Sequence, residues 1–342
     1  MAVHQWLESS PDARGYKKID PRKNTETHSW FSILQGKELK YVAYQHYRLF
    51  PTHYFKASYA LNKIVGEDTL ISWLQHKQRI CLLDIGCGAG AATAAFIEAV
   101  ILLKETGKIT SAINILAIGV DPNIFSILLY KKTLKELQSN STELINLEFV
   151  CFLSSFPEAT PGIIDRLKQE RDLLQVPCLS NLLTINLNVI SPLSQRFKSQ
   201  ENDYKNLLDL DPEIDIFLSK VPKTFGNDEA QAYRQMIEDV PIDMMYLLNI
   251  VTENSESDIQ ADTDSSTTLE TRSKEMAFAL NKIIGKSHYI EQIHEGKHEI
   301  YFENPQGSYG IEQLKLDRTN KPTAFYTNLQ KILSTNLTED ED

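Results

Sequence analysis

The sequence has no apolar run of the roughly 18–20 residues that a bilayer-crossing helix needs. Its first residues, MAVHQWLESSPDARGYKK, are polar and lack the apolar core of a secretory signal. Cysteine is scarce: Cys81, Cys87, Cys151 and Cys178 lie in apolar or glycine-rich surroundings without CxxC spacing. That pattern favours buried free thiols over a disulfide framework or a thiolate metal centre, so no metal is expected. These absences together predict a cytoplasmic, reducing location and no membrane partner. A phosphate-cradling loop is excluded as well, because no GxxxxGK followed by Ser or Thr occurs.

Positive charge is in short supply over most of the chain. The formal net charge of the 342 residues is −11, yet residues 1–79 carry 12 Lys and Arg against 7 Asp and Glu. An acidic body disfavours broad nucleic-acid binding, since phosphates are repelled at long range. The basic N-terminal part leaves local contact with RNA or an acidic substrate open.

What the chain does contain is organised. Residues 1–28 are polar and rich in turn formers, which predicts a surface arm. YVAYQHYRLFPTHYFKASYALNKIV then shows apolar spacing of three and four, interrupted at Pro51, and Gly66 closes it before a helix at EDTLISWLQ. Residues 1–78 are therefore an arm and a helical cap. From residue 80, short apolar runs alternate with helical segments: ICLLDI, INILAIGV, INLEFVCFL, LSNLLTINLNVI and DMMYLLNIV are the strands. This repetition predicts an α/β fold with right-handed crossovers and a doubly wound parallel sheet. Residues 252–271, acidic and without a basic residue up to Glu270, read as a disordered loop: a lid, a docking segment or an inert insertion. KSHYIEQIHEGKHEIYFENP reads as two strands joined by a turn at Glu295-Gly296-Lys297. Residues 306–342 are expected to form a C-terminal helix and an acidic tail.

The segment CLLDIGCGAGAATAAF places glycines at a strand-to-helix turn, where a ligand approaches the backbone closely. Gly86, Gly88 and Ala91 satisfy the dinucleotide spacing GxGxxA, so the glycines alone do not identify the ligand. Two acids are more telling. Asp84 precedes the first glycine by two residues; an anion there would repel a pyrophosphate but suits an ammonium or sulfonium group. Asp121 ends the next strand, where a carboxylate can bond both ribose hydroxyls. It lies 31 residues beyond Gly90, more than the roughly 20 usual for NAD sites.

LLDIGCGAG resembles motif I of the class I S-adenosylmethionine-dependent methyltransferases, and AIGVDPN resembles their second-strand acidic motif. The resemblance covers about residues 78–305. It implies a seven-stranded Rossmann-like sheet over 79–305 with an antiparallel last strand, for which HEIYFENPQG is the candidate. It also implies S-adenosyl-L-methionine as cofactor, held by Asp84, Gly86, Cys87, Gly88, Gly90, Asp121 and Pro122. Ser154 or Ser155, at the end of CFLSSF, would contact the adenine amine, and Asn188 would stand at the lip as a cofactor-binding residue facing the sulfonium and the acceptor. A second resemblance is carried by Tyr44, Arg48 and Pro51 in YQHYRLFPTHYFKASYALNKI. It looks like the helical lead-in of the mitochondrial ribosomal small-subunit assembly methyltransferase-like family, although the clustered cysteines of many of its members are missing here.

Methyl transfer from a sulfonium needs alignment and desolvation more than a marked catalytic side chain. No [D/N/S]-P-P-[Y/F/W] tetrad follows the fourth strand, where NVIS stands, and no 5-methylcytosine type of cysteine pattern is present. Acceptor-side candidates are Tyr41, Tyr44, His46, Tyr47, Arg48, His53 and Tyr54 of the cap, with Asn188. The expected activity is methyl transfer to a small-molecule or peptide acceptor. The alternatives are an rRNA methyltransferase or a non-catalytic ribosome-assembly scaffold that keeps the fold.

Overall fold

The computed structural model describes residues 50–75, 79–141, 143–174, 182–188, 214–216, 227–240, 242, 244–252, 269–300 and 323–333. An amphipathic helix α1 (Phe50–Tyr59) runs into a π-helical turn (Ala60–Val65). Gly66, with φ of +80°, ends the turn, and α2 (Glu67–Gln75) follows. Acidic Glu67 and Asp68 occupy the first turn of α2, where they complement the exposed N–H groups.

Strand β1 (Arg79–Ile85) opens the sheet and is buried from Ile80 onward. It leads through the glycine turn into α3 (Ala91–Glu105), whose Ala91, Ala92, Ala94 and Ala95 are all buried and let the helix approach closely. There follow β2 (Ile113–Val120), α4 (Ile124–Ser141), β3 (Ile145–Leu153), α5 (Phe156–Leu174), β4 (Leu182–Asn188) and β5 (Ile214–Ile216). The chain continues with α6 (Asn227–Asp239), β6 (Met244–Thr252), α7 (Leu269–Ile283), β7 (Tyr289–Ile300) and β8 (Thr323–Leu333).

One sheet contains all eight strands, in the order β5-β3-β2-β1-β4-β6-β8-β7. β1 pairs in parallel with both β2 and β4, while β8 pairs antiparallel with β6 and β7. Alternation along β1 divides the core. Ile80 and Leu82 pack toward α1, α2, α3 and α4; Cys81, Leu83 and Ile85 pack toward α5, α6 and α7. Helices therefore cover both faces, which explains why the central strands read as continuous apolar runs. The strand order switches sides between β1 and β4, β2 and β3 being added on one side of β1 and β4 and β6 on the other, and a crevice forms at such a switch point, outside the carboxyl ends of the strands.

Several expectations need correction. The seven-stranded count becomes eight, because the three-residue β5 adds to the edge beside β3. Residues 289–300 form one continuous strand instead of a hairpin. Gly296 sits opposite Thr327 in the ladder, and the only irregularity lies between Gln292 and His294. Residues 323–333 form a strand and not the expected C-terminal helix. Phe325, Thr327 and Leu329 are buried on one face while Tyr326, Asn328 and Gln330 are buried on the other, so the alternation that would mark a strand is missing. The sheet consequently extends past residue 305. Helix α7 begins at Leu269, inside the segment read as a loop, and residues 253–268 lie outside the described ones. Among the described residues no helix is long and apolar enough to cross a membrane.

Candidate functional site

The site begins with backbone geometry. Gly86, Gly88 and Gly90 have φ of +69°, +52° and +83°, a region that side chains with a Cβ avoid. The turn is clamped to the end of β2: the N–H groups of Gly86 and Cys87 donate to the Val120 carbonyl at 2.8 and 3.1 Å. Gly90 N–H donates to the Cys87 carbonyl at 2.8 Å, and Gly88 N–H donates to Asp121 Oδ2 at 3.1 Å. Four turn amides are thus already engaged. A nest that binds pyrophosphate uses such N–H donors, and here Val120, Cys87 and Asp121 take four of them.

Asp84, on β1, is fully buried. Its Oδ2 accepts the Thr93 hydroxyl at 2.6 Å and the Thr93 N–H at 3.3 Å, whereas Oδ1 is buried without a partner. Burial pushes the Asp84 carboxyl up to about 7; the Thr93 bonds oppose the shift, and the nearby Asp121 adds to it. Asp121 follows β2 directly and is partly exposed. Its Oδ1 accepts the Asn123 N–H at 2.8 Å, completing a tie between the turn and the start of α4. Desolvation raises its carboxyl to about 6 against the bonds from Asn123, Gly88 and Ser126. Two acids with raised carboxyl values, separated by one turn, mark this turn as the candidate site.

The other predicted residues fall as follows. Cys87 is buried, and its thiol is pushed upward by burial and by Asp121 and Asp84, so it stays neutral and serves as packing. Pro122 is half-buried beside Asp121. Ser154, immediately after β3, is buried with a hydroxyl that has no partner. Ser155 bonds Glu158 at 2.6 Å, and its carbonyl accepts the Ala159 N–H at the start of α5. Between the two serines, Ser154 is the one left for a ligand. Asn188 closes β4, in register with Val251. In the cap, Tyr54 donates to Glu98 of α3, and His53 is held at about 3 by burial and the neighbouring Lys56. Tyr54 therefore joins two helices, and His53 is neutral. Tyr41, Tyr44, His46, Tyr47 and Arg48 lie outside the described residues.

Two residues of the site were missed by sequence reasoning. Thr93 stands three positions after Gly90 on α3, a spacing that faces a helix residue back toward β1. Tyr130, in the middle of α4, has no local signal; its hydroxyl lies 3.2 Å from Thr93 Oγ1.

No family model matches the chain. No curated protein is similar to it in sequence. Solved structures similar to it include precorrin-6y C5,15-methyltransferase from Geobacter metallireducens, at 11% identity over 80% of this chain and 92% of that one, with a TM-score of 0.35. Another is loganic acid methyltransferase with SAH, at 10% identity over 86% and 95%, TM-score 0.37. A third is a SAM-dependent methyltransferase from Methanosarcina mazei, at 12% identity over 77% and 96%, TM-score 0.32. Likenesses of this size carry no argument about activity, which rests on the chemistry of the turn.

Proposed function

We propose that the protein binds S-adenosyl-L-methionine at the β1–α3 turn and transfers its methyl group to a small-molecule or peptide acceptor. The observation that carries this reading is the donor set of the turn: four of its amides are engaged, and the buried Asp84 Oδ1 has no partner. Such a set fits a ligand with a positive amino-acid end and a neutral ribose, and it does not fit a pyrophosphate.

In this reading, Asp84 provides the negative charge for the ammonium end, directly or through a water. Asp121 receives the ribose hydroxyls, and the glycines admit the ligand close to the backbone. The unpartnered Ser154 hydroxyl meets the adenine. Asn188 stands at the lip, on the side of the switch point away from β2. β8, antiparallel between β6 and β7, corresponds to the reversed strand of the methyltransferase sheet. When bound, the cofactor supplies a methyl group on a sulfonium, open to in-line attack by an acceptor lone pair. The protein aligns the two and excludes water, with a general base required only if the acceptor must lose a proton.

Calorimetric titration with S-adenosylhomocysteine tests the reading. Binding is expected for the full chain, and Asp121→Ala is expected to weaken it by about 1–3 kcal/mol. Folded protein that does not bind millimolar ligand would overturn the assignment. Unchanged affinity in the variant would overturn the role of Asp121.

A further inference from the structure

Tyr130 lies nine residues after Asp121 and 46 after Asp84, and it is fully buried. Its ring occupies the space beside two glycines. A Cβ at Gly119 of β2 would meet the ring at 2.5 Å, and a Cβ at Gly90 would meet it at 3.1 Å. Nearby, the Thr133 hydroxyl donates to the Ala89 carbonyl at 2.9 Å, so α4 grips the turn at two points one helical turn apart.

While Asp84 is ionised, the hydroxyl of Tyr130 has a defined direction. Thr93 has one hydroxyl proton, which lies on the 2.6 Å bond to Asp84 Oδ2. An ionised carboxylate only accepts, so at the 3.2 Å contact the Tyr130 O–H donates and Thr93 Oγ1 accepts. The three groups form a chain from Tyr130 through Thr93 to Asp84, in a buried setting where successive hydrogen bonds polarise one another.

We propose that Tyr130 is a positioning residue for the amino-acid end of the cofactor: through Thr93 it keeps Asp84 charged and oriented, with Oδ1 left for the ligand, while its ring sets the distance between the glycine turn and β2. This rests on the methyl-donor reading of the turn. Among the described residues, the titratable groups around this chain are Asp121 after β2, Cys87 of the turn, Cys151 of β3 and Tyr130 itself, and none is a cation. Hydrogen bonds are therefore the main support for charge on Asp84, whose carboxyl already sits near 7 because of burial. Loss of the Tyr130 hydroxyl weakens the Thr93 donor and moves that carboxyl further up.

The test compares the wild-type chain with Tyr130→Phe, which keeps the ring and removes the hydroxyl. S-adenosylhomocysteine affinity is measured calorimetrically from pH 6 to pH 9. In the variant the midpoint of the pH profile is expected to rise by about half a unit, so affinity falls about twofold near pH 7, approaches a threefold loss toward pH 6 and recovers by pH 9. A profile that keeps its midpoint, whether or not it is displaced as a whole, would make Tyr130 a packing residue and overturn the proposal.

A ligand-free measurement separates this from failure of the cofactor reading. A raised carboxyl pKa means that the folded state holds its proton more tightly, so stability falls as pH rises from about 4 through 7. Thermal unfolding of Tyr130→Phe is expected to extend that fall to higher pH, and in an Asp84→Asn background the Tyr130→Phe substitution should not alter the pH profile. If wild-type protein binds no S-adenosylhomocysteine at any pH, the cofactor reading fails, and the positioning role fails with it even where unfolding reveals the coupling. If binding is seen but the unfolding profiles coincide, the Tyr130–Asp84 coupling is wrong and the cofactor reading stands.

Discussion

Beside the glycine turn, at the carboxyl ends of β1 and β2, stand two acids, Asp84 buried and Asp121 partly exposed; across β6 and β8 the buried polar side chains include three amides. Asp84 and Asp121 are pushed up to about 7 and 6 by desolvation. Asn249, Asn328 and Gln330 are buried on the α5–α7 side, where Gln330 and Asn328 share Gln292 as acceptor at 3.1 and 3.4 Å. Asn249 and Asn328 are directly paired positions, and each leaves a carbonyl oxygen buried without a partner. Both ends therefore carry incomplete hydrogen bonding. The costs differ in kind, because a buried neutral amide loses only hydration whereas a buried carboxylate loses far more and shifts its protonation. An arrangement that holds an acid near 7 in a dry turn is explained by a ligand that restores the missing charge. The amide end needs no such ligand.

The sharpest way to break this contrast is Asp84→Asn. At pH 8 the substitution should weaken S-adenosylhomocysteine binding by about 2–3 kcal/mol, on the order of 30–150-fold, because the charge partner of the ammonium is gone. The same protein should be more stable than wild type at pH 8, by an amount on the order of 2–4 kcal/mol that vanishes near pH 4. The sign follows from the raised pKa: the penalty is absent when both folded and unfolded acids are protonated and full when both are ionised. Urea denaturation at the two pH values checks it. A stability loss at pH 8 would mean that the buried charge is already compensated.

A smaller effect is expected from Gly119→Ala. The added methyl meets the Tyr130 ring at 2.5 Å, so stability should fall by about 1–3 kcal/mol with an unchanged denaturant slope. Pairing it with Tyr130→Leu should recover part of the loss. The smallest effect belongs to the amide end. Asn249→Leu should leave ligand affinity unchanged and stability within about 1 kcal/mol of wild type, or slightly above it, since the removed carbonyl oxygen is unpaired. A large loss in either measurement would show that the amide end takes part in the site.

Much of the binding end was legible in the sequence. The glycines at 86, 88 and 90 announce positive φ values because no other residue adopts them at low cost, and Asp84 and Asp121 stand out as acids that finish apolar runs. The same local logic located Gly66 as a helix stop and β1, β2, β3, β4 and β6 as strands. It failed where pairing was remote. EGK at 295–297 has the composition of a turn, but the ladder with β8 keeps Gly296 extended. TAFYTNLQKIL has apolar positions at helical spacing, and it becomes a strand because β6 and β7 leave a gap that only a strand can fill.

By itself the sequence determined the α/β alternation, the position of the glycine turn and the negative charge beside it. These depend on steric limits of single residues and on the cost of burying charge, which act locally. Only the tertiary structure decided that the turn amides are already engaged, that Ser154 and not Ser155 is left unpartnered, and that Tyr130 reaches Thr93 across 37 residues. Those facts depend on which surfaces the packing of α3 and α4 against β1 and β2 brings within hydrogen-bond reach, and no local pattern encodes them.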